Sequence, residues 1–469
     1  MKVYIENKII TKFLLLFIPA LIIGKLILSI PFLAIFGILV LFLLLFLLDK
    51  PLMALCLFIL LIPYTNTVYF GASYLDMPGA KPLNFLAGLI IGISVLNCGK
   101  ATGINNRWIS FFIIIFLIIF SISVFRAIDN LNVINLVRTE KLSKARFLLS
   151  DYVKPLIYFM PMVIISFFAN KKEDFEMLVK ALGYTTFIFS VILIFLLFFN
   201  LGSIRDVEKV GDYYKSIFYM HRNDIANFYI LAVPILLSLF FKRKNLYNII
   251  NLILAILVIG FLYSRTGYFT LILSVLIFLL VSKRAKILPI FVMIAIVVSF
   301  FITGSIVERA EKGLKSKDLN EIFAGRVNDI WLPLIYEYRD NPQKMIFGNG
   351  RYSILTSKAA SNAIILDVEH PHNMYLELIL DVGLIGFFIV IIPIFLLLKG
   401  AIKNGKNNRD NEILEYQYGI TVSMLAYLIA GITGRSLFPD LNNSFLWIII
   451  GLQIVLFKFQ KLESSQLED

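Results

Sequence analysis

Apolar runs, each close to the length of a bilayer crossing, follow one another along nearly the whole chain, separated by short polar or charged breaks. A helix needs ~20 predominantly apolar residues to cross the hydrocarbon core, with ~17 as a working minimum. The runs at 12–29, 31–48, 52–67, 82–97, 108–125, 153–169, 178–200, 222–241, 246–263, 266–282, 287–304, 373–398, 413–432 and 443–458 therefore predict about fourteen transmembrane helices. Pro31 and Ser264-Arg265 are read as boundaries, because proline cannot continue the helical hydrogen bonding and an arginine is costly in hydrocarbon. The pattern predicts an all-α polytopic membrane protein, with residues 1–469 forming a single integral membrane domain. One interval, 305–372, is long enough to fold as a loop subdomain. Inside it, DLNEIFAGRVNDIWLPLIYEYRDNP sets Ile322, Phe323, Val327, Ile330, Trp331, Leu334 and Ile335 at helical spacing. That spacing predicts an amphipathic helix on the membrane surface, bent near Pro333. The following IFGNGRYS has the glycine chemistry of a turn.

Charge then orients the spans. If they alternate, Lys171-Lys172, Lys242-Arg243-Lys244, the group Lys283, Arg284 and Lys286, and the loop with Lys399, Lys403, Lys406 and Arg409 share one side. The excess of Lys and Arg on cytoplasmic loops makes that side cytoplasmic, with both termini inside. The outer face receives 68–81, 126–152, 201–221, the Ser264-Arg265 turn, 305–372 and 433–442. Composition agrees: 59% of residues are apolar and 16% charged, against roughly 25% charged in soluble chains. A net charge of +13 would suggest nucleic acid as a partner of a soluble protein. Here the loops account for most of it, and no nucleic acid is expected. Cys56 and Cys98 predict neither a disulfide nor a metal site.

The residues suited to chemistry collect on the outer face. All three histidines, His221, His370 and His372, fall there, and imidazole is the side chain best placed to move a proton near neutral pH. His370-Pro371-His372-Asn373 ends the long loop at the mouth of a predicted helix, which Asn373 can cap. A metal site at the paired histidines is the alternative, but no Cys, Asp or Glu at helical ligand spacing completes it. Arg126, Arg138, Arg146, Arg222, Arg265, Arg326, Arg351 and Arg435 also lie on this face, against the usual bias. Arg265, in YSRTGYF between two apolar runs, needs a partner. Arginine binds phosphate oxygens bidentately, so several converging arginines suit a lipid-borne pyrophosphate. Anionic phospholipid headgroups are the plainer alternative. Glu377 and Asp381, one turn apart, could pair with arginines, orient His372, or simply face water. Asp367, Glu369 and Asp440 are the other carboxylates nearby.

From His372 the chain reads HNMYLELILDVGLIG: His-Asn, nine residues, then Gly-x-x-Gly, with His372, Asn373, Gly383 and Gly386. This resembles the signature of the bacterial O-antigen ligase and O-antigen polymerase superfamily. The Ser264-Arg265 turn, the loop bearing Arg326, Trp331, Gly348 and Gly350, and Arg222-Asn223 opening a helix resemble the family in the same order, over roughly residues 200–400. The resemblance implies a GT-C-like, metal-independent glycosyltransferase of the bacterial inner membrane, without cofactor, acting at the periplasmic or outer face. Its donor would be a glycan on undecaprenyl pyrophosphate. His372 would serve as base, with Arg265 and Arg222 at the leaving pyrophosphate. His370, Asn373, Arg326, Arg351, Arg138, Arg146 and Arg435 would contact substrate. Implied partners are the lipid-linked donor, a glycan acceptor on a second lipid, membrane lipids and a chain-length regulator protein. A polymerase would extend another lipid-linked repeat; a ligase would transfer to lipid A-core. The span number and the basic 126–152 loop favour the polymerase. The rival from another class is a lipid-linked-glycan flippase or transporter, which would place ionisable groups at mid-membrane; only Lys25 has that position here.

Overall fold

The computed structural model of the chain describes residues 45–67, 81–101, 107–137, 141–199, 207–289, 293, 318–323, 325–362, 364–365, 368–407, 411–434 and 436–465. Among these residues every regular element is helical. The helices are α1 (Pro51–Leu61), α2 (Pro82–Leu96), α3 (Arg107–Asp129), α4 (Lys144–Phe168), α5 (Lys172–Phe199), α6 (Val207–Phe218), α7 (Arg222–Lys242), α8 (Leu246–Phe261), α9 (Arg265–Val281), α10 (Leu332–Arg339), α11 (Pro342–Phe347), α12 (Met374–Asn407), α13 (Asn411–Ala430) and α14 (Ser444–Ser465). Six of them, α3, α4, α5, α7, α12 and α13, are long and apolar enough to cross a membrane; α1, α2, α8, α9 and α14 carry shorter apolar stretches. The expected spans 12–29, 31–48 and 287–304 lie wholly or mostly outside the described residues, as do Lys25, Arg138, Asp367 and Arg435.

The bundle is built around α7, in which 89% of the apolar window is buried. A helix apolar on all faces is stable only when surrounded, and α5, α8, α9, α13 and α14 pack around it. Because lipid tails are as apolar as leucine, close packing and interhelical hydrogen bonds hold such helices together. At Gly419 of α13 a Cβ would stand 2.8 Å from the Pro234 carbonyl and from Ser238 Oγ of α7, so only glycine permits this approach. Ser423 Oγ donates to the Leu231 carbonyl at 2.7 Å, and Asn251 Nδ2 donates to the Gly183 carbonyl at 2.9 Å. Each such bond is worth roughly 0.6 kcal/mol in a bilayer.

The two ends of the bundle differ. At one end Lys242 pairs with Glu176 at 2.6 Å, Arg284 holds both oxygens of Glu415, and Lys458 reaches the Ser166 carbonyl. These contacts join the start of α5 to the end of α7, the turn after α9 to the start of α13, and the end of α14 to the end of α4. That grouping follows the alternation read from the charged loops. The opposite end carries the described residues of the 305–372 interval. Here the expected amphipathic helix is divided. A short helix at Leu319–Ile322 stops at a turn, where Gly325 has φ +83°, and a π-helical turn at Val327–Trp331 leads into α10 just before Pro333. The 126–152 interval is also more helical than a loop. It contains the end of α3, a short helix at Leu131–Val137 and the first turns of α4, with Asn135 holding Leu142 through two hydrogen bonds of 2.9 Å.

α12 is broken near its start, where Gly383 has φ +73° and ψ 178°. The break leaves the Leu380 and Asp381 carbonyls without their helical donors, and Asn349 N–H and Gly350 N–H take those places at 2.9 and 3.0 Å. The Gly348–Arg351 loop is thereby wedged between α12 and α3. A Cβ on Gly348 would lie 2.5 Å from the Asp381 carbonyl oxygen, and one on Gly350 would lie 2.8 Å from Arg126 Cβ. The Arg126 side chain closes the wedge, donating to the Phe347 carbonyl at 2.7 Å. Gly383→Ala would add a Cβ against the Ile346 carbonyl and 2.5 Å from Gly348 N. It is expected to destabilise by about 3 kcal/mol, from left-handed strain of ~1–3 kcal/mol together with overpacking. Gly88→Ala, where a Cβ meets nothing within 4 Å, should leave the melting temperature in detergent within about 2 °C of wild type; equal melting of the two variants would refute the wedge.

Candidate functional site

Among the helices that begin at the end carrying the 305–372 residues, α7, α9 and α12 each have a start fixed by a side chain. His221 caps α7, its Nδ1 accepting from Asn223 N–H at 3.3 Å while Asp224 Oδ2 accepts from His221 N–H at 3.0 Å. Ser264 caps α9 through Gly267 N–H at 3.2 Å. Asn373 caps α12 by accepting from Tyr375 N–H and Leu376 N–H, both at 3.0 Å, as the sequence suggested. The first turns of α7 and α9 touch, since a Cβ on Gly267 would lie 3.3 Å from Ala226 Cβ. Helix starts present N–H groups and a partial positive charge, a setting that favours anions.

The turn after α13 draws these pieces together. The Gly431 carbonyl accepts Met374 N–H at 2.8 Å, and the Leu428 carbonyl accepts the Tyr375 hydroxyl at 2.6 Å. Thr433 Oγ1 lies 2.9 Å from Thr266 Oγ1, and the Thr433 carbonyl accepts from Arg326 Nη1 at 3.3 Å. Arg326 thus reaches the start of α9, beside Arg265. Burial first, and then the positive charge of Arg265, pull the Arg326 pKa below its ordinary value. A guanidinium brought to a helix start that itself opens with arginine suits an anion. Arg222, first residue of α7, lies against α6, with its Cδ 3.7 Å from where a Gly211 Cβ would be.

Between α10 and α12 the segment His370-Pro371-His372 runs as a strap. Trp331 Nε1 donates to the Pro371 carbonyl at 2.7 Å, and Phe323 packs on the Trp331 ring at 5.2 Å. His372 has φ +53°, a left-handed backbone that costs a non-glycine residue ~1–3 kcal/mol and tends to gather at functional sites. Tyr263 (φ +52°) and Tyr219 (φ +51°) show the same strain just ahead of α9 and α7.

Arg351, expected among the substrate-binding cations, has a different position. It is 6% exposed, and its Nη1 meets Glu377 Oε1 at 2.8 Å, Asp381 Oδ2 at 3.2 Å and Ser436 Oγ at 3.3 Å. Burial alone would lower its pKa; the carboxylates of Glu377, Asp381 and Asp151 outweigh that and raise it. Ser353 N–H and Oγ complete Asp381 at 3.2 and 2.7 Å. Glu377 and Asp381 therefore pair with an arginine, as one reading of them suggested, and the imidazole beside Glu377 is that of His370, at 3.4 Å, rather than His372. Tyr352 packs against His370 and bonds Asp151 of α4. Arg146 is exposed on α4, its N–H bound to Ser143 Oγ at 3.3 Å.

Sequence reasoning did not foresee the Arg351 cluster, the Trp331 tether or the Thr266–Thr433 pair. Two carboxylates one turn apart in an apolar helix, with a single arginine in the glycine-rich turn before them, were the available signal for the first. Removing Arg351 leaves Glu377 and Asp381 buried without a counter-charge. Arg351→Met is expected to destabilise by ~3–5 kcal/mol, the range for breaking a buried pair from one side, seen as a lower melting temperature in detergent. Unchanged melting would return Arg351 to the list of substrate-binding cations.

Residues 250–391 match a protein-family model described as O-antigen ligase. The matched range holds Arg265, Arg326, Arg351, His370, His372, Asn373, Gly383 and Gly386, and it supports the superfamily to which the histidine–glycine motif was compared. No curated protein matches the chain.

Proposed function

For a multi-pass membrane protein of the O-antigen ligase and polymerase superfamily, we propose an extracytoplasmic glycosyltransferase that polymerises undecaprenyl-pyrophosphate-linked oligosaccharide repeat units, as in O-antigen, capsule or exopolysaccharide assembly. The observation that carries it is the turn after α13, which holds Arg326 through the Thr433 carbonyl and the start of α9 through Thr266, one hydrogen bond away from the strap that holds His372. In this reading the arginines bind the donor pyrophosphate, with Arg222 and the starts of α7 and α9 adding positive potential. His372 accepts the proton of the acceptor hydroxyl, which bonds to the anomeric carbon as the carbon–oxygen bond to pyrophosphate breaks. The reaction is metal-independent because guanidinium groups supply the charge that the leaving group requires. The lysine-rich end is cytoplasmic, and the site opens to the periplasmic or outer face of a bacterial inner membrane. The partners are the lipid-linked donor, an acceptor glycan on a second lipid, membrane lipids and a chain-length regulator.

A second reading, transfer of the glycan to lipid A-core, is favoured by the description of the matched family model. Purified protein given synthetic undecaprenyl-pyrophosphate repeat units should yield longer glycans. Transfer only when lipid A-core is added would select the ligase, and translocation without a new glycosidic bond would sink both.

Residue tests separate charge from support. Arg326→Ala removes a like-charged neighbour of Arg265, so melting temperature should hold or rise while transfer falls ~100-fold or more, the usual scale for losing one electrostatic donor. Arg265→Lys keeps the charge but loses the fork, and activity should fall sharply. His372→Gly relaxes a left-handed backbone and should gain ~1 kcal/mol of stability yet lose transfer. Retained transfer in His372→Gly and His372→Ala would remove His372 from the mechanism.

A further inference from the structure

We propose that His370 is a positioning residue: Glu377 and Arg351, buried beneath it, hold His370 and through it the strap that presents His372. The proposal rests on the transferase reading of that strap. A left-handed backbone at His372 persists only where its surroundings fix both sides of it. After His372, Asn373 caps α12 and Met374 N–H bonds the Gly431 carbonyl at 2.8 Å. Ahead of it, the Pro371 carbonyl accepts from Trp331. One further hold lies on the His370 side, where Nδ1 stands 3.4 Å from Glu377 Oε1. Glu377 belongs to the first turn of α12, its N–H bound to the Asn373 carbonyl at 2.9 Å, so the strap folds back onto the helix it leads into.

Glu377 is itself immobilised. It is 4% exposed and shares Oε1 between Arg351 at 2.8 Å and His370. Arg351 is anchored in turn by Asp381, by Ser436 and, through its own N–H, by the Ser123 carbonyl at 2.9 Å. A substrate group could not reach Arg351 or Glu377 without displacing what covers them, so these charges act inward. The charged and titratable groups around His370 are Glu377, Asp381 and Arg351 below, Tyr352 with Asp151 beside it, and Glu369 next in the chain. The imidazole links this fixed interior to a half-buried strap, with Tyr352 packed 5.9 Å from its ring. Loss of that link frees the His370 side of His372 while leaving the Arg265–Arg326 pair and the helix caps in place.

The test uses the full-length protein with synthetic undecaprenyl-pyrophosphate repeat units. His370→Leu should lower kcat about 100-fold, the scale of a ~1 Å misplacement of reacting groups, with donor KM unchanged within about threefold. His370→Gln, whose amide N–H can still reach Glu377, should recover activity to within about tenfold of wild type. Hydrogen exchange reads the same contact without activity: the Trp331 indole N–H, bonded to the Pro371 carbonyl, should exchange faster in His370→Leu and at the wild-type rate in His370→Gln. Unchanged kcat and exchange in His370→Leu would overturn the proposal, and loss of transfer in His372→Ala would then leave the transferase reading standing. If His370→Gln is as inactive as His370→Leu while both exchange like wild type, the imidazole itself does chemistry and the positioning role is overturned. A wild-type protein that transfers nothing defeats the transferase reading, and the exchange arm still decides whether His370 holds the strap.

Discussion

Arg351 carries a charge that no ordinary pH removes, and it carries that charge into the interior. A buried cation must be surrounded by acceptors or the fold does not form around it. Its acceptors come from separate parts of the chain: Glu377 and Asp381 from α12, Ser436 from the segment before α14, and the Ser123 carbonyl of α3 through the Arg351 backbone. Satisfying one guanidinium thus registers the Gly348–Arg351 loop against three separate parts of the bundle. The site depends on that registration, because the His370–His372 strap leaves from the same 305–372 interval and ends on the same helix.

The glycines of the motif belong to this constraint more than to chemistry. Gly383 breaks α12 so that two carbonyls can receive Asn349 and Gly350, and Gly348 lets the loop backbone approach where a Cβ would lie 2.5 Å from the Asp381 carbonyl oxygen. At Gly386 a Cβ would lie 2.5 Å from Val382 Cβ, a clash produced by the break one turn earlier. The spacing from His372 to Gly383 is then the distance from the strap to the wedge, measured along one helix. It ties the position of the imidazole to the position of the loop.

Much of this was legible in the chain. Hydropathy located α3, α5, α7, α12 and α13, which are long and apolar enough to cross a bilayer, and the shorter apolar stretches of α8, α9 and α14. Charge alternation grouped the helix ends correctly, as the Lys242–Glu176 and Arg284–Glu415 pairs at one end and the Thr266–Thr433 contact at the other require. The capping role of Asn373 followed from its residue type and place. What was not legible depended on long-range geometry. Exposed and buried arginines look alike in sequence, so Arg351 was grouped with Arg326 although one is locked into carboxylates and the other lies beside a like charge. The 126–152 interval reads as a loop in the sequence because its short helices, held by Asn135 and Ser143, have too few residues to show a period.

The division between the two arginines also explains how positive charge can be kept on this end of the bundle. Arg351 is neutralised internally and contributes structure. Arg326 and Arg265 keep their mutual repulsion, and the helix starts capped by His221, Ser264 and Asn373 add partial charges of the same sign. A fold that tolerates this must obtain its stability elsewhere, and here it comes from the packing around α7 and from the Arg351 cluster. Strain follows the same arrangement, with Tyr219, Tyr263 and His372 all left-handed at or next to these helix starts. Such repulsion and strain would be eased by an anion bound at this end, so in the transferase reading binding and the ordering of the site would be one event.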